Sequence, residues 1–72
     1  MALRTGTVIR YHDDKGYGFV SIDGLGRSAF VHYSALGRHR AAMGPGVRVR
    51  FNLVQTVKGP KAIDVEPIEV GG

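Results

Sequence analysis

The stretch KGYGFVSI, residues 15–22, decides how the rest of the chain is interpreted. In a β-strand its side chains alternate between two faces. Val20 and Ile22 fall on one face, while Tyr17 and Phe19 share the other face with the lysine that opens the stretch. If the aliphatic face is buried, the rings and the cation lie at the surface, where rings can stack on bases and a cation attracts phosphate. The stretch therefore predicts a surface that binds a single strand of nucleic acid.

The reverse orientation is the alternative, with Tyr17 and Phe19 in the core, because scattered aliphatic side chains are common at protein surfaces. A second segment argues against it. Residues 23–26 form a connection of the hairpin type, and residues 27–33 are typical of a third strand. Counting back from the loop predicts the facing pairs Ile22–Arg27, Phe19–Phe30 and Tyr17–His32.

These pairs define one exposed surface, which we call the aromatic platform: Tyr17, Phe19, Phe30 and His32. Val31 falls on the opposite face and is expected to be buried. For His32 the alternative is a buried or merely exposed imidazole without a binding role, since histidine is intermediate in burial.

Composition limits the fold and the partners. With 72 residues the chain is one domain, too small for a deep second site. It has no cysteine, which excludes disulfides and thiolate zinc sites and fits a cytoplasmic protein. No apolar run forms a signal sequence or spans a bilayer. We expect a single domain over 1–72, with an ordered barrel over about 4–67 and a tail over 68–72.

The charge is asymmetric along the chain. Ten Lys and Arg against six Asp and Glu give a formal net charge of +4. Three of the six acids are Asp64, Glu66 and Glu69, so the first 61 residues carry ten basic side chains and only three acidic ones. A basic surface favours an anionic partner, and nucleic acid is the commonest one for a small domain.

Five short strands account for most of the chain. The predicted strands are residues 5–12, 15–22, 27–33, 47–53 and 63–66. Between them we expect a helical turn over 34–36, a loop over 37–46 and a turn over 58–61. This pattern predicts an all-β fold, a small barrel or sandwich, and lacks the two helices of an RNA-recognition domain.

The segments KGYGFV (15–20) and AFVHYSAL (29–36) together resemble the cold-shock domain. The resemblance runs from about Gly6 to Val65 and includes the Lys-Gly-Pro that begins at Lys58. It implies a five-stranded antiparallel OB-fold barrel that binds single-stranded RNA and DNA with little sequence preference. The small bacterial members of this family are cytoplasmic RNA chaperones and cold-shock proteins.

The resemblance also implies a set of binding residues. Its stacking positions are occupied by Tyr11, Tyr17, Phe19, Phe30, His32 and Tyr33, and Lys15 and Lys58 are at positions that contact the backbone. By strand parity alone, however, Tyr33 would face the core unless the strand end twists it outward.

Three positions depart from the family pattern. Arg10 replaces a tryptophan that usually offers a large stacking surface, and Arg38-His39-Arg40 stands near a usual loop aromatic. Ser28 stands where an aspartate is common. We therefore add Arg10, Arg38 and Arg40 to the predicted site as cations that attract phosphate.

Two other clusters have structural explanations. His12-Asp13-Asp14 could suggest a metal or acid–base site, but a turn accounts for both aspartates and no further ligands converge. Arg48 and Arg50 suggest a basic stripe. If Val54 faces Ala62, Arg50 faces Glu66 and Asn52 faces Asp64, which indicates a charge ladder and leaves these arginines out of the site.

The sequence thus predicts a monomeric, non-enzymatic protein that binds single-stranded RNA or DNA by stacking and phosphate attraction. No cofactor, metal, small-molecule substrate or membrane is expected. The alternative is a protein-interaction module that kept the barrel and lost strong nucleic-acid binding, which the missing tryptophan favours and the aromatic platform opposes.

Overall fold

Five β-strands form a closed barrel in the computed structural model, which describes residues 2–68. The strands are β1 (Ala2–His12), β2 (Tyr17–Ile22), β3 (Arg27–His32), β4 (Arg48–Thr56) and β5 (Gly59–Pro67). Their order around the barrel is β1-β2-β3-β5-β4. The predicted five-stranded barrel is confirmed; β3 and β5 form a short parallel pair, and the other neighbours are antiparallel.

The predicted orientation of the second strand is confirmed, and the reverse orientation is wrong. Val20, Ile22 and Val31 are 1–3% exposed and pack in the core around Phe51, which is fully buried. The rest of the buried core consists of Val8, Ala29, Leu36, Val49, Ala62 and Val65. Burying each large aliphatic side chain stabilises the fold by about 1.5–3 kcal/mol, so this face is the one that holds the barrel together.

Element boundaries differ from the predicted ones. β1 begins at Ala2 because residues 2–7 pair with β4. The turn between β4 and β5 is two residues, Val57 and Lys58, so both strands are longer than predicted. The predicted loop 37–46 contains a 3-10 helix, η2 (Gly37–Ala42), which follows a shorter one, η1 (Tyr33–Ala35).

The register of β4 against β5 shifts once. Arg50 faces Glu66 as predicted, but Leu53, not Val54, faces Ala62. The predicted Val54–Ala62 and Asn52–Asp64 pairs are wrong, because the two-residue turn Val57-Lys58 pairs Thr56 with Gly59 and sets the register as far as Asn52–Ile63. One extra residue in β5, a β-bulge, then restores the predicted Arg50–Glu66 pair. In that bulge Asp64 adopts a φ of 51°.

The end of the chain falls mostly outside the described residues. Of the predicted tail 68–72, only Ile68 is described, and its backbone N–H donates a hydrogen bond of 2.9 Å to the carbonyl of Arg48. No helix between residues 2 and 68 has the length and hydropathy of a membrane span.

Candidate nucleic-acid interface

The aromatic platform lies on the outer face of β2 and β3. The facing pairs are those predicted, with Phe19 opposite Phe30 and Tyr17 opposite His32. Tyr17 and Phe30 are stacked, with ring centroids 5.7 Å apart and an interplanar angle of 26°. Phe19 meets Tyr17 and Phe30 edge to face at 6.2 and 5.8 Å. These three rings therefore form one continuous cluster, and all four rings of the platform remain only partly buried.

A β-bulge in β1 turns two more side chains toward the platform. The register against β2 shifts between Val8 and Arg10, leaving Ile9 as the extra residue. Without the extra residue, alternation would put Arg10 on the same face as the buried Val8. With it, Arg10 faces outward, and its guanidinium carbon lies 5.9 Å from the ring centroid of Phe19. The bulge thus directs a cation onto the platform.

The same shift brings His12 beside the platform. His12 faces Tyr17 across β1 and β2, with ring centroids 5.5 Å apart. The sequence analysis did not place His12 beside the aromatic platform. Counting back from the predicted Asp13-Asp14 turn would have found it, because a pairing of His12 with Lys15 puts His12 on the same face as Tyr17 and Phe19.

Four consecutive neighbours across the barrel form a row with cations at both ends. Arg10 faces Phe19 across β1 and β2, and Phe30 faces Lys61 across the parallel pair β3–β5. Phe19 and Phe30 occupy the middle of the row. The row therefore combines π-faces for bases with flanking positive charge for phosphates.

A groove borders this row on the side of the β4–β5 hairpin. It has a volume of about 580 Å³ and is lined by Phe19, Phe30, Thr56, Val57, Lys58 and Lys61. Lys58, a predicted site residue, lies at the hairpin tip beside the fully exposed Val57. Lys61 was not predicted, because nothing in the sequence indicates which strand the start of β5 pairs with.

The glycines of the opening stretch are explained by close approach. A Cβ at Gly18 would lie 2.8 Å from the Cα of Tyr11 on β1. A Cβ at Gly16 would lie 2.8 Å from Cδ2 of Tyr33, and Gly16 also has a φ of 76°. Both positions need glycine because a neighbouring strand or ring occupies the space of a side chain.

Tyr11 and Tyr33 are placed differently from each other. Tyr11 packs against the buried core, and its hydroxyl is buried without a hydrogen-bond partner among residues 2–68. Tyr33 begins η1 instead of ending β3, so it leaves the core parity of the strand and is 46% exposed. Its ring lies 4.4 Å from that of His32, which extends the platform beyond its edge.

The predicted cations also separate into two kinds. Arg40 is engaged, because its Nε donates to a carboxylate oxygen of Asp13 at 3.2 Å and its guanidinium carbon lies 4.9 Å from the centroid of the Tyr33 ring. Lys15 in the turn before β2 and Arg38 in η2 are exposed. Neither makes an ion pair with another of the described residues, so both can attract phosphate.

Arg48 and Arg50 lie in ion pairs, as expected for residues outside the site. Arg50 Nε donates to Glu66 at 2.8 Å, and this contact lowers the pKa of Glu66. Arg48 donates to both carboxylate oxygens of Asp23, at 2.9 and 2.6 Å. This pair, with a hydrogen bond of 2.8 Å from the Thr5 hydroxyl, lowers the pKa of Asp23 from 3.8 to about 2.

Asp13 and Asp14 lie in a turn, as predicted, directly after His12 ends β1. Residues 13–16 form it, with the N–H groups of Lys15 and Gly16 donating to the His12 carbonyl at 3.1 and 2.8 Å. Within residues 2–68, no group of three or more His, Asp or Glu side chains is placed to hold a metal ion.

Comparison with known proteins agrees with this geometry. Residues 4–68 match the family described as the 'Cold-shock' DNA-binding domain. The Cold shock-like protein CspLB of Listeria monocytogenes is 38% identical over 61 residues, which cover 83% of this chain and 91% of the relative. The Cold shock protein ScoF of Streptomyces coelicolor is 35% identical over 66 residues, or 90% of this chain and 98% of the relative.

A third relative is the Cold shock-like protein CspA of Vibrio cholerae, which is 39% identical over 62 residues, 85% of this chain and 89% of the relative. The matched segment covers all five strands and both 3-10 helices except the first residues of β1. The chain therefore belongs to the cold-shock DNA-binding domain family, whose members bind nucleic acid and are not enzymes.

Proposed function

We propose that this protein binds single-stranded RNA or DNA by stacking bases on the aromatic platform while cations around it attract the phosphates. The observation that carries the proposal is the row Arg10–Phe19–Phe30–Lys61, which places two partly exposed rings between two cations. Every base has a π-face, so such a surface binds single strands with little regard to sequence.

Such a surface should bind a duplex of the same sequence more weakly than a single strand. Bases in a duplex are stacked on each other, and their faces cannot reach Phe19 and Phe30. The charge of a duplex, by contrast, is attracted by any basic surface. Preference for a single strand over a duplex of the same sequence therefore separates stacking from simple charge attraction.

We further propose that the protein acts as an RNA chaperone without ATP. A ligand that binds only the open form of a hairpin stabilises that form by RT ln(1 + [L]/Kd), or about 2.7 kcal/mol at a concentration of 100 Kd. This is enough to open weak hairpins and too little to open stable ones. We expect the protein to do this as a monomer in the cytoplasm.

Fluorescence anisotropy with labelled oligo-dT, oligo-U and a matched duplex tests the binding. We expect the protein to bind both single strands with much higher affinity than the duplex. Equal affinity for single strand and duplex would contradict stacking, and no binding to either would favour a protein-interaction module. A hairpin RNA carrying a fluorophore and a quencher tests the chaperone activity, which predicts opening that depends on protein concentration.

A further inference from the structure

Asp13, Arg40 and Tyr33 form a chain of contacts at the edge of the aromatic platform. Arg40 Nε donates to Asp13 Oδ1 at 3.2 Å, and Arg40 Nη2 donates to the Asp13 backbone carbonyl at 3.0 Å. The guanidinium carbon of Arg40 lies over the ring of Tyr33, 4.9 Å from its centroid. The contacts thus bring together Asp13 and Arg40, which are 27 residues apart in sequence, beside the exposed ring of Tyr33.

These two hydrogen bonds fix the plane of the guanidinium. Its donors all lie in that plane, so a pair of hydrogen bonds to one residue restricts rotation and leaves the flat faces unbonded. The ring of Tyr33 lies against Gly16, and the backbone N–H of Tyr33 donates to the Gly16 carbonyl at 2.9 Å. Tyr33 and Arg40 therefore form a cation–π pair in which the guanidinium is held by hydrogen bonds to Asp13.

Stability alone does not explain the Asp13–Arg40 ion pair. The Asp13 side chain is 80% exposed and that of Arg40 is 41% exposed. Ion pairs between exposed side chains usually contribute between nothing and about 1 kcal/mol. A carboxylate is also the wrong charge to place beside a surface that binds phosphates.

Open space lies next to this pair. A cavity of about 660 Å³ borders Arg40 and Asp13 and is also lined by Tyr11, Arg38, Ala41 and Met43. Arg38 places a second cation at its edge. Arg40 therefore borders open space that can admit a planar group.

We propose that Asp13 is a positioning residue, which holds the Arg40 guanidinium as a flat stacking surface on Tyr33 for a nucleobase of the bound strand. The inference rests on the proposed function and deepens it. Arginine planes stack on aromatic rings and on bases, so a fixed guanidinium adds one stacking position beyond Tyr33.

The inference predicts an unusual sign for a carboxylate. Neutralising an acid on a surface that binds an anion ordinarily strengthens binding. Neutralising Asp13 should instead weaken it, because the released guanidinium loses its fixed plane. Asp14 is the matched control, since it is adjacent, exposed, and in no ion pair with another residue of the described part of the chain.

The experiment compares Asp13→Asn and Asp14→Asn in anisotropy titrations with oligo-dT, each also made in an Arg40→Ala background. We expect D13N to weaken binding by about threefold or more, a part of the stacking contribution of one base. D14N should leave binding unchanged or slightly tighter. In the Arg40→Ala background the two substitutions should act alike, because Asp13 no longer has a guanidinium to hold.

The salt dependence of the affinity is a second readout, because an effect of Asp13 that was purely electrostatic would disappear at high salt. The difference between D13N and the unchanged protein should persist in high KCl, since stacking depends little on salt. Thermal melts of all variants check that each remains folded at the titration temperature. If D13N is unfolded, Arg40→Lys replaces it. This substitution keeps the positive charge, removes the planar guanidinium and should weaken binding similarly.

Equal effects of D13N and D14N would overturn the inference. So would tighter binding by D13N than by D14N, because Asp13 would then hold Arg40 as a cover over Tyr33 that the strand must displace. If the unchanged protein binds no oligonucleotide, the proposed function itself fails and the inference fails with it. If the unchanged protein binds oligo-dT and D13N behaves like D14N, the inference fails while the proposed function stands.

Discussion

Phe19 and Phe30 face each other across β2 and β3 with ring centroids 5.8 Å apart and planes inclined at 72°. The adjacent residues Val20 and Val31 point the opposite way and are 1–2% exposed. One pair of strands therefore supplies the core with its inner face and the proposed binding surface with its outer face. Substitutions on the two faces should have separable effects.

Replacing Phe19 with alanine should weaken binding much more than it weakens folding. Stacking contributes about 1–3 kcal/mol per base, so Phe19→Ala should reduce affinity by about tenfold or more. Its melting temperature should change by only a few degrees, because the ring is partly exposed. Anisotropy titration and thermal unfolding of the same sample measure both effects.

Val31→Ala is the matched control on the other face. It removes buried methyl groups and should cost on the order of 2 kcal/mol of folding free energy, which lowers the melting temperature of a domain this size by roughly 10 °C. Its affinity at temperatures where it remains folded should be unchanged. The opposite pattern, with Phe19→Ala unfolded and Val31→Ala harmless, would contradict the assignment of the two faces.

The salt dependence of binding should reflect how many cations contact phosphate. Arg10, Lys15, Lys58 and Lys61 lie around the platform and make no ion pair with other described residues. If each neutralises one phosphate, log K should fall with log salt at a slope of about −3, from about −0.7 for each phosphate. Titrations in rising KCl measure the slope.

Arg10→Trp should make that slope shallower by somewhat under one unit. The indole is a larger stacking surface than the guanidinium and carries no charge, so binding at high salt should be stronger. A native slope close to zero, or a variant that binds more weakly at every salt concentration, would show that Arg10 does not act through phosphate.

Lys61 should contribute as much to the slope as the predicted cations do. Lys61→Ala should make the slope of log K against log salt shallower by about 0.7, since Lys61 borders the groove beside Phe19 and Phe30. Arg4→Ala is the charge-matched control, because Arg4 lies six residues, or about 20 Å, from Arg10 along β1. The same KCl series serves for both variants, and equal changes in the two would leave Lys61 without a specific role.

The ion pair between Asp23 and Arg48 should make stability depend on pH in the acid range. Hydrogen bonds from Arg48 and Thr5 lower the pKa of Asp23 from 3.8 to about 2. A carboxyl whose folded pKa is lowered stabilises the fold fully above its unfolded pKa and loses that contribution as pH falls through the folded value. The contribution of Asp23 is therefore present above about pH 4 and lost toward pH 2.

Asp23→Asn removes that contribution. The melting temperature of the variant should lie below that of the native protein at pH 5 to 7, and the two curves should converge toward pH 2. Asp14→Asn, which breaks no ion pair within the described residues, should show no such convergence. Parallel curves for D23N and the native protein would mean that the Asp23–Arg48 pair does not link folding to pH.

Sequence patterns predicted the platform because it depends on local rules. The four-residue loop between Ile22 and Arg27 sets the register of one hairpin, and alternation then places every side chain on a face. The same rules applied to the first hairpin would have added His12. They were sufficient for the β2–β3 hairpin but not for the β4–β5 hairpin, whose two-residue turn, Val57-Lys58, differs from the turn predicted over 58–61.

Bulges and non-local pairing were beyond those rules. Ile9 and Asp64 lie in bulges, and each shifts the register in a way that no sequence pattern marked. The parallel pairing of Phe30 with Lys61 joins strands that are far apart along the chain, so its register depends on closure of the whole barrel. The contact of Arg40 with Asp13 depends in turn on where η2 packs.

Mapping the bound strand by NMR tests the central claim most directly. Backbone and side-chain shifts of the labelled protein are followed while unlabelled oligo-dT is added. We predict the largest changes at His12, Tyr17, Phe19, Phe30 and His32, with little change at the Arg48–Asp23 and Arg50–Glu66 ion pairs. Large changes confined to those ion pairs, with the aromatic platform unaffected, would contradict the account.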